Sequence, residues 1–134
     1  MNKHVDVPFR VRYAETDQMG VAYYANYLVW FEAARADFCR ARNYPYSQLE
    51  EKDDTFLPVV EAHCRYLDSL RYDQEFIVRT SLKEFRRRSC LFEYQVVENE
   101  KNNLCAEGWT KHLFINREGK IRSFPKSAEK FFID

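Results

Sequence analysis

The sequence is poor in the residues that interrupt regular structure, with 3 glycines and 4 prolines among 134 residues. Most of the chain is therefore predicted to lie in helices and strands, since few positions can break them. Aromatic residues are abundant instead, with 11 Phe and 9 Tyr, and hydrophobic residues make up 46% of the chain. A chain of this size and composition is predicted to fold as one domain, residues 1–134, around one core.

The chain also lacks an excess of charge of either sign, because 21 Lys and Arg balance 21 Asp and Glu. A protein that binds nucleic acid or an anionic membrane is normally basic, so neither partner is expected. No apolar run is long enough to span a bilayer, and the first residues show no apolar signal core. We therefore expect a cytoplasmic protein without integral membrane association.

Several catalytic and metal-binding motifs are missing. There is no GxSxG nucleophile elbow, no GxxxxGK[ST] phosphate loop, no CxxC pair and no zinc-ligand spacing of His with Cys. Neither a metal nor a cofactor is therefore expected. A Cys–His nucleophile is poorly supported, because His63 and Cys64 are adjacent on a predicted strand and should point to opposite faces. His112 and Cys105 are seven residues apart, an odd number that predicts the same outcome.

Period-two alternation predicts five strands, at residues 5–13, 57–67, 74–86, 89–98 and 104–115. Residues 26–42 predict a helix whose first turns are apolar on nearly every side, and a short helix is predicted after Pro125. The long helix is the only large apolar element that can cover a sheet. The sequence therefore predicts an α+β domain with one helix enclosed by an antiparallel sheet.

A carboxylate stands in the predicted connection between the first strand and the long helix, where Asp17 precedes Gly20. The first N–H groups of a helix are unpaired and carry partial positive charge, so they could polarise an acyl carbonyl. An opposing carboxylate could attack that carbonyl or activate a water. The alternative is that Asp17 only shapes the turn, as Asp commonly does before Gly.

The segment from Arg12 to Arg35 reads RYAETDQMGVAYYANYLVWFEAAR. It resembles the signature of 4-hydroxybenzoyl-CoA thioesterase-like proteins, which include the acyl-CoA thioesterases associated with the Tol–Pal system. The matching positions are Thr16, Asp17, Gly20, Tyr24, Asn26, Tyr27, Leu28, Glu32, Ala34 and Arg35. Length and element order agree with this family over nearly the whole chain.

The resemblance implies a hotdog fold, in which a five-stranded antiparallel sheet wraps one long central helix. It implies hydrolysis of a fatty or aromatic acyl-CoA to the free acid and CoA. Asp17 would be the nucleophile or general base, the backbone N–H near Tyr24 would polarise the carbonyl, and Gly20 would allow close chain approach. Many relatives have His at or beside Tyr24, whereas this chain has Tyr23 and Tyr24, which removes a possible imidazole.

Arg86, Arg87 and Arg88 form a basic cluster between two predicted strands. Guanidinium groups pair well with phosphate, so the cluster could hold the phosphates of CoA, as basic residues do in some relatives. A solvated turn is the alternative. The resemblance also implies a homodimer or homotetramer with active sites at the junction. Strand 57–67 has few edge-protecting features and could pair with its own copy, and Trp109 could join two dimers.

Two other functions remain open for such a chain. One is a non-catalytic acyl-CoA-binding or structural hotdog oligomer. The other is a hotdog dehydratase, which would pair an active-site His with a carboxylate, and no His stands near Asp17 in the sequence.

Overall fold

A computed structural model describes residues 4–133. In chain order, the elements are β1 (His4–Arg10), a 3-10 turn (Tyr13–Glu15), α1 (Asn26–Ala41), α2 (Tyr46–Lys52), β2 (Val59–Tyr66), β3 (Glu75–Phe85), β4 (Ser89–Glu98), β5 (Leu104–Leu113) and α3 (Lys126–Glu129). All five predicted strands and both predicted helices are present. The first strand stops before residue 13 because the chain turns there, and α2 escapes prediction because only its Leu49 is buried.

The five strands form one antiparallel sheet in the order β1-β3-β4-β5-β2. The predicted α+β architecture, with one long helix against a five-stranded antiparallel sheet, is therefore confirmed. Strands β1 and β2 are the two edges. Within residues 4–133, no helix is long and apolar enough to cross a membrane.

Helix α1 packs onto the sheet through a close contact at the middle of strands β4 and β5, where Tyr94 pairs with Gly108. The ring of Phe31 stacks on that of Tyr94 with centroids 4.2 Å apart and planes 5° from parallel. Gly108 makes room for this contact, because a β-carbon there would lie 2.2 Å from the carbonyl oxygen of His63 and 2.8 Å from the ring of Phe31. The absence of a side chain at Gly108 thus lets β2, β5 and α1 approach one another.

A line of buried hydrogen bonds crosses the core beside this contact. Arg35 Nη1 donates to Tyr94 Oη over 3.1 Å, and Tyr94 Oη lies 2.6 Å from Thr110 Oγ1. Thr110 Oγ1 lies 2.8 Å from His112 Nε2, and His112 Nδ1 lies 3.0 Å from the Leu57 carbonyl oxygen. Desolvation lowers the pKa of His112 to about 4, so its imidazole is neutral. Because the Leu57 carbonyl only accepts, His112 carries its proton on Nδ1. Its Nε2 therefore accepts from Thr110, which in turn accepts from Tyr94.

The opposite face of the sheet is polar and carries cross-strand ion pairs, among them Arg10 with Glu75 at 2.8 Å and Arg79 with Asp6 at 2.9 Å. Trp109 lies on this face and stacks on His63 with ring centroids 5.8 Å apart. Exposed ion pairs of this kind contribute little to stability. Because this face is polar, the core lies on the α1 side of the sheet.

We predict that Gly108→Ala strongly destabilises the fold. Overpacking a tight core site typically costs about 1–3 kcal/mol, and the short distances at Gly108 favour the upper end of that range. Gly119→Ala is the matched control, because Gly119 has φ of +85° but open space around it. It should cost only the roughly 1–2 kcal/mol of a left-handed residue. Urea denaturation measures both, and equal costs would contradict the steric role of Gly108.

Candidate active site

Asp17 sits in a tight turn that it partly builds itself. Its N–H donates to the Val21 carbonyl over 2.9 Å, and the Gly20 N–H donates to the Asp17 carbonyl over 2.9 Å. Its side-chain Oδ1 accepts the Met19 N–H over 2.8 Å. Gly20 has φ of +77°, a left-handed conformation that suits glycine. Among the described residues, none donates to the second carboxylate oxygen, so Asp17 shapes the turn with one oxygen and leaves the other uncommitted.

Helix α1 begins directly after this turn and presents free N–H groups. The N–H groups of Asn26 and Tyr27 donate to the carbonyls of Tyr23 and Tyr24, over 3.0 and 3.2 Å. The N–H groups of Tyr24 and Ala25 have no acceptor among the residues that the structure describes. They stand at the positive end of a 16-residue helix. An anionic oxygen bound there would be stabilised by both donors and by the helix dipole.

Asp17 and the start of α1 line one open pocket of about 380 Å³. Its lining residues are Asp17, Val21, Ala22, Tyr24, Tyr27, Tyr66, Leu67, Asp68 and Ser69. Tyr66, from the end of β2, donates its hydroxyl to the Tyr24 carbonyl over 3.0 Å. Burial raises the pKa of Tyr27 to about 12 and is the main cause of a raised pKa of Tyr66. Both phenols are therefore neutral near pH 7 and cannot serve as bases.

Glu15 joins the Asp17 turn to helix α1. Its side chain is only 8% exposed. Its Oε2 accepts the Trp30 indole N–H over 3.0 Å and Arg12 Nη2 over 3.2 Å, and its Oε1 accepts the Arg12 N–H over 2.8 Å. Burial would raise the pKa of this carboxyl, but the N–H donors outweigh burial and hold the pKa below its usual range. Glu15 is thus a buried carboxylate.

The sequence prediction missed Glu15, Trp30 and Tyr66 as parts of this region. Their contacts span long separations along the chain, since Glu15 meets Trp30 across 15 residues and Tyr66 meets Tyr24 across 42. The one available signal is the position of Glu15, an acid two residues before Asp17 in a segment otherwise apolar or polar without charge.

Arg86, Arg87 and Arg88 are exposed at the turn between β3 and β4. The Arg86 N–H donates to the Ser89 carbonyl over 2.8 Å and closes the hairpin. Arg86 pairs with Glu84 at 3.3 Å, and Arg87 Nε donates to Ser123 Oγ over 3.0 Å.

The structure does not bring this cluster to Asp17 within one chain. The Asp17 turn follows the end of β1 that pairs with Glu75, at the start of β3. The cluster follows Phe85, at the other end of that 11-residue strand. At about 3.3 Å per residue the two ends lie roughly 35 Å apart.

The histidines and cysteines form no reactive pair. The predicted opposite facing of Cys105 and His112 is wrong, since both are buried on the core side. A register irregularity between β4 and β5, at Val96 and Val97, breaks the alternation between them. Desolvation raises the pKa of Cys105 and lowers that of His112 to about 4, so the thiol stays protonated and the imidazole neutral. Within residues 4–133, no group of three His, Cys, Asp or Glu could hold a metal ion.

Comparisons with known proteins agree with this architecture. Residues 11–132 match the thioesterase-like superfamily. An acyl-CoA thioesterase of Haemophilus influenzae is 30% identical over 127 residues, which cover 93% of this chain and 91% of that protein. A crystal structure of a Thermus thermophilus protein is 38% identical, with a TM-score of 0.87 and 95% of each chain covered. A gentisyl-coenzyme A thioesterase structure is 26% identical, with a TM-score of 0.84, and covers 93% of this chain and 99% of its own. The chain belongs to the thioesterase-like superfamily and has the hotdog fold of its thioesterases.

Proposed function

We propose that this protein hydrolyses acyl-CoA thioesters to a free acid and CoA, with Asp17 as the catalytic carboxylate. The family and its acyl-CoA thioesterase relatives supply the reaction class. The observation that carries the assignment of Asp17 is its place beside the start of α1. One uncommitted carboxylate oxygen and two free N–H groups belong to residues in and next to the same pocket.

The chemistry needs two opposed groups. The thioester carbonyl oxygen accepts hydrogen bonds from the N–H groups of Tyr24 and Ala25, which stabilise the negative charge that develops on it. Asp17 then adds to the carbonyl carbon, expels CoA thiolate and leaves a mixed anhydride that water hydrolyses. Alternatively, Asp17 takes a proton from the water that adds to the carbonyl carbon. Thiolate is a good leaving group, so either route releases CoA and the free acid.

The alternative of a dehydratase receives no support from the histidines. His112 has both ring nitrogens in the buried hydrogen-bond line, and His63 stacks on Trp109 on the outer face of the sheet. No His lines the pocket around Asp17. The thioesterase relatives favour an enzyme over a non-catalytic acyl-CoA-binding protein, and thiol release by the wild-type protein separates the two.

An exposed apolar strip along edge strand β2 supports a homodimer. Val59, Val60 and Tyr66 of β2 are 46%, 45% and 45% exposed, and Leu28 on the neighbouring flank of α1 is 42% exposed. An unpaired edge with apolar side chains is normally covered. Pairing β2 with its own copy about a two-fold axis covers it and extends the sheet across both subunits. A further contact of two dimers through Trp109 would make a tetramer.

Such a dimer gives the arginine cluster a function that one chain alone cannot. In antiparallel pairing of β2 with its copy, the second subunit runs in the opposite direction. Its β3–β4 hairpin then lies at the same end of the joint sheet as Asp17 of the first subunit. Three strand spacings separate β2 from that β4, about 14 Å in all. Arg86, Arg87 and Arg88 of each subunit would therefore bind the CoA phosphates in the other subunit's site.

We predict that Asp17→Asn removes most of the activity and preserves the fold. The loss of a positioned base costs about 10²–10⁴-fold in rate, and the loss of a nucleophile can cost more. Asp73→Asn is the matched control, because Asp73 is an exposed loop carboxylate paired with Arg10 outside the pocket. Thiol release from acyl-CoA measures both. A folded Asp17→Asn protein with near-normal turnover would rule out the assignment.

We predict that replacing Arg87 and Arg88 with Ala raises the KM for acyl-CoA, most strongly at low salt, because salt screens exposed charges. The KM for acyl thioesters of N-acetylcysteamine, which lack the nucleotide, should stay unchanged. Arg40→Ala is the control, since it removes an exposed guanidinium elsewhere. Equal effects on both kinds of thioester would assign the cluster to the solvated surface.

Mixed dimers test whether the site is shared. Light scattering should first show that the wild-type protein is at least a dimer. Co-expression of the Asp17→Asn chain with the Arg87→Ala/Arg88→Ala chain then produces heterodimers. In each heterodimer, one of the two sites has both its Asp17 and its arginine cluster intact. Random pairing should restore about a quarter of wild-type turnover with the wild-type KM. A cluster that serves its own chain would restore none at that KM, and a fully active monomer would refute the shared site.

A further inference from the structure

Glu15 is a buried carboxylate that takes no part in the bond-making and bond-breaking steps of the proposed hydrolysis. It precedes Asp17 by two residues, and its side chain points away from solvent toward Trp30 and Arg12. A buried charged group is costly unless it is paired and hydrogen-bonded. The three N–H donors meet that requirement. Well-packed apolar residues in place of such a buried, paired charge are nevertheless often as stable or more stable. The position of Glu15 therefore calls for a reason beyond stability.

Glu15 accepts hydrogen bonds from residues at the start of α1 through both its side chain and its backbone, and so links the helix start to the Asp17 turn. Its carboxylate accepts the indole N–H of Trp30, one turn into α1, over 3.0 Å. Its carbonyl oxygen accepts the Tyr23 N–H over 2.8 Å and Asn26 Nδ2 over 2.7 Å. The residues just before and just inside the helix start are thus tied to the residue that leads into the Asp17 turn.

The pairing with Trp30 makes this tie rigid. Trp30 is buried, and its ring packs against those of Phe76 and Tyr27, with ring centroids 4.6 and 4.8 Å away. Its indole N–H therefore has one direction available, and Glu15 must meet it there. Gln at position 15 could not serve equally, because one of its two terminal atoms is an N–H donor that would face Trp30 or Arg12.

We propose that Glu15 is a positioning residue that sets the separation between the Asp17 carboxylate and the free N–H groups of Tyr24 and Ala25. A nucleophile or base and an oxyanion site act on the same carbonyl only when that separation is correct. A misplacement of about 1 Å can cost about 10²-fold in rate. This inference rests on the proposed function of Asp17, although its structural part does not.

Kinetics of Glu15→Gln test the role in positioning. We expect kcat to fall about tenfold to a hundredfold, with the KM for acyl-CoA within about twofold of wild type. Glu98→Gln is the matched control, because Glu98 is an equally buried carboxylate that accepts the N–H groups of Glu100 and Lys101 in a turn outside the pocket. It should lose stability without losing kcat. Equal kcat values for the folded Glu15→Gln and Glu98→Gln proteins would overturn the proposal.

Trp30→Phe provides a second route if Glu15→Gln folds poorly, because it removes the donor and keeps the carboxylate. It should lower kcat to a similar extent, and the double variant should be no worse than either single variant. Additive losses in the double variant would overturn the link between Glu15 and Trp30.

Nuclear magnetic resonance separates this inference from the proposed function. The chain has 2 tryptophans, so the indole N–H of Trp109 is an internal reference for that of Trp30. In Glu15→Gln the Trp30 indole signal and the Tyr24 and Ala25 amide signals should move, while the Trp109 signal stays. Full activity of Asp17→Asn would contradict the proposed function but would not change the chemical shifts expected for Glu15→Gln. Unmoved Tyr24 and Ala25 amides would defeat the inference itself.

Discussion

The height at which α1 lies above the sheet is the constraint on which the other features depend. It is set where Phe31 stacks on Tyr94 and where Gly108 leaves no side chain in the way. A helix held further out could not bring Arg35 to Tyr94 or the indole of Trp30 to Glu15. The buried hydrogen-bond line and the candidate site are thus both consequences of one close packing contact.

The candidate site combines a backbone held by hydrogen bonds with a few polar groups that have no partner among the described residues. Hydrogen bonds fix the turn around Asp17, the start of α1 and the end of β2 relative to one another. The groups that would act on substrate are the ones left without partners among the described residues. These groups are one oxygen of Asp17 and the N–H groups of Tyr24 and Ala25. Such an arrangement spends no substrate binding energy on ordering the site, which is what electrostatic preorganisation requires.

The sequence predicted those parts of the fold that have a periodic signal. Alternation located all five strands, and the apolar run at Tyr27–Phe31 located α1, although Leu28 and Val29 of that run are exposed rather than enclosed. Alternation failed at Cys105, where a register irregularity changes which residues face the core. The sequence also could not tell at which end of the sheet Arg86 lies, because the end depends on strand pairing rather than on local pattern. Contacts such as Glu15 with Trp30 depend in the same way on the finished fold.

The topology also has a consequence for the order in which the protein forms. β1 is synthesised early, yet it pairs only with β3, through partners such as His4 with Ser81. The segment that carries Asp17 is hydrogen-bonded to residues beyond 69, because the N–H groups of Val11 and Ala22 donate to the carbonyls of Gln74 and Leu70. Such long-range pairing is slow compared with local helix formation. On the ribosome, α1 can form as soon as it emerges, whereas the site at its start stays unassembled until the middle of the sheet has been made.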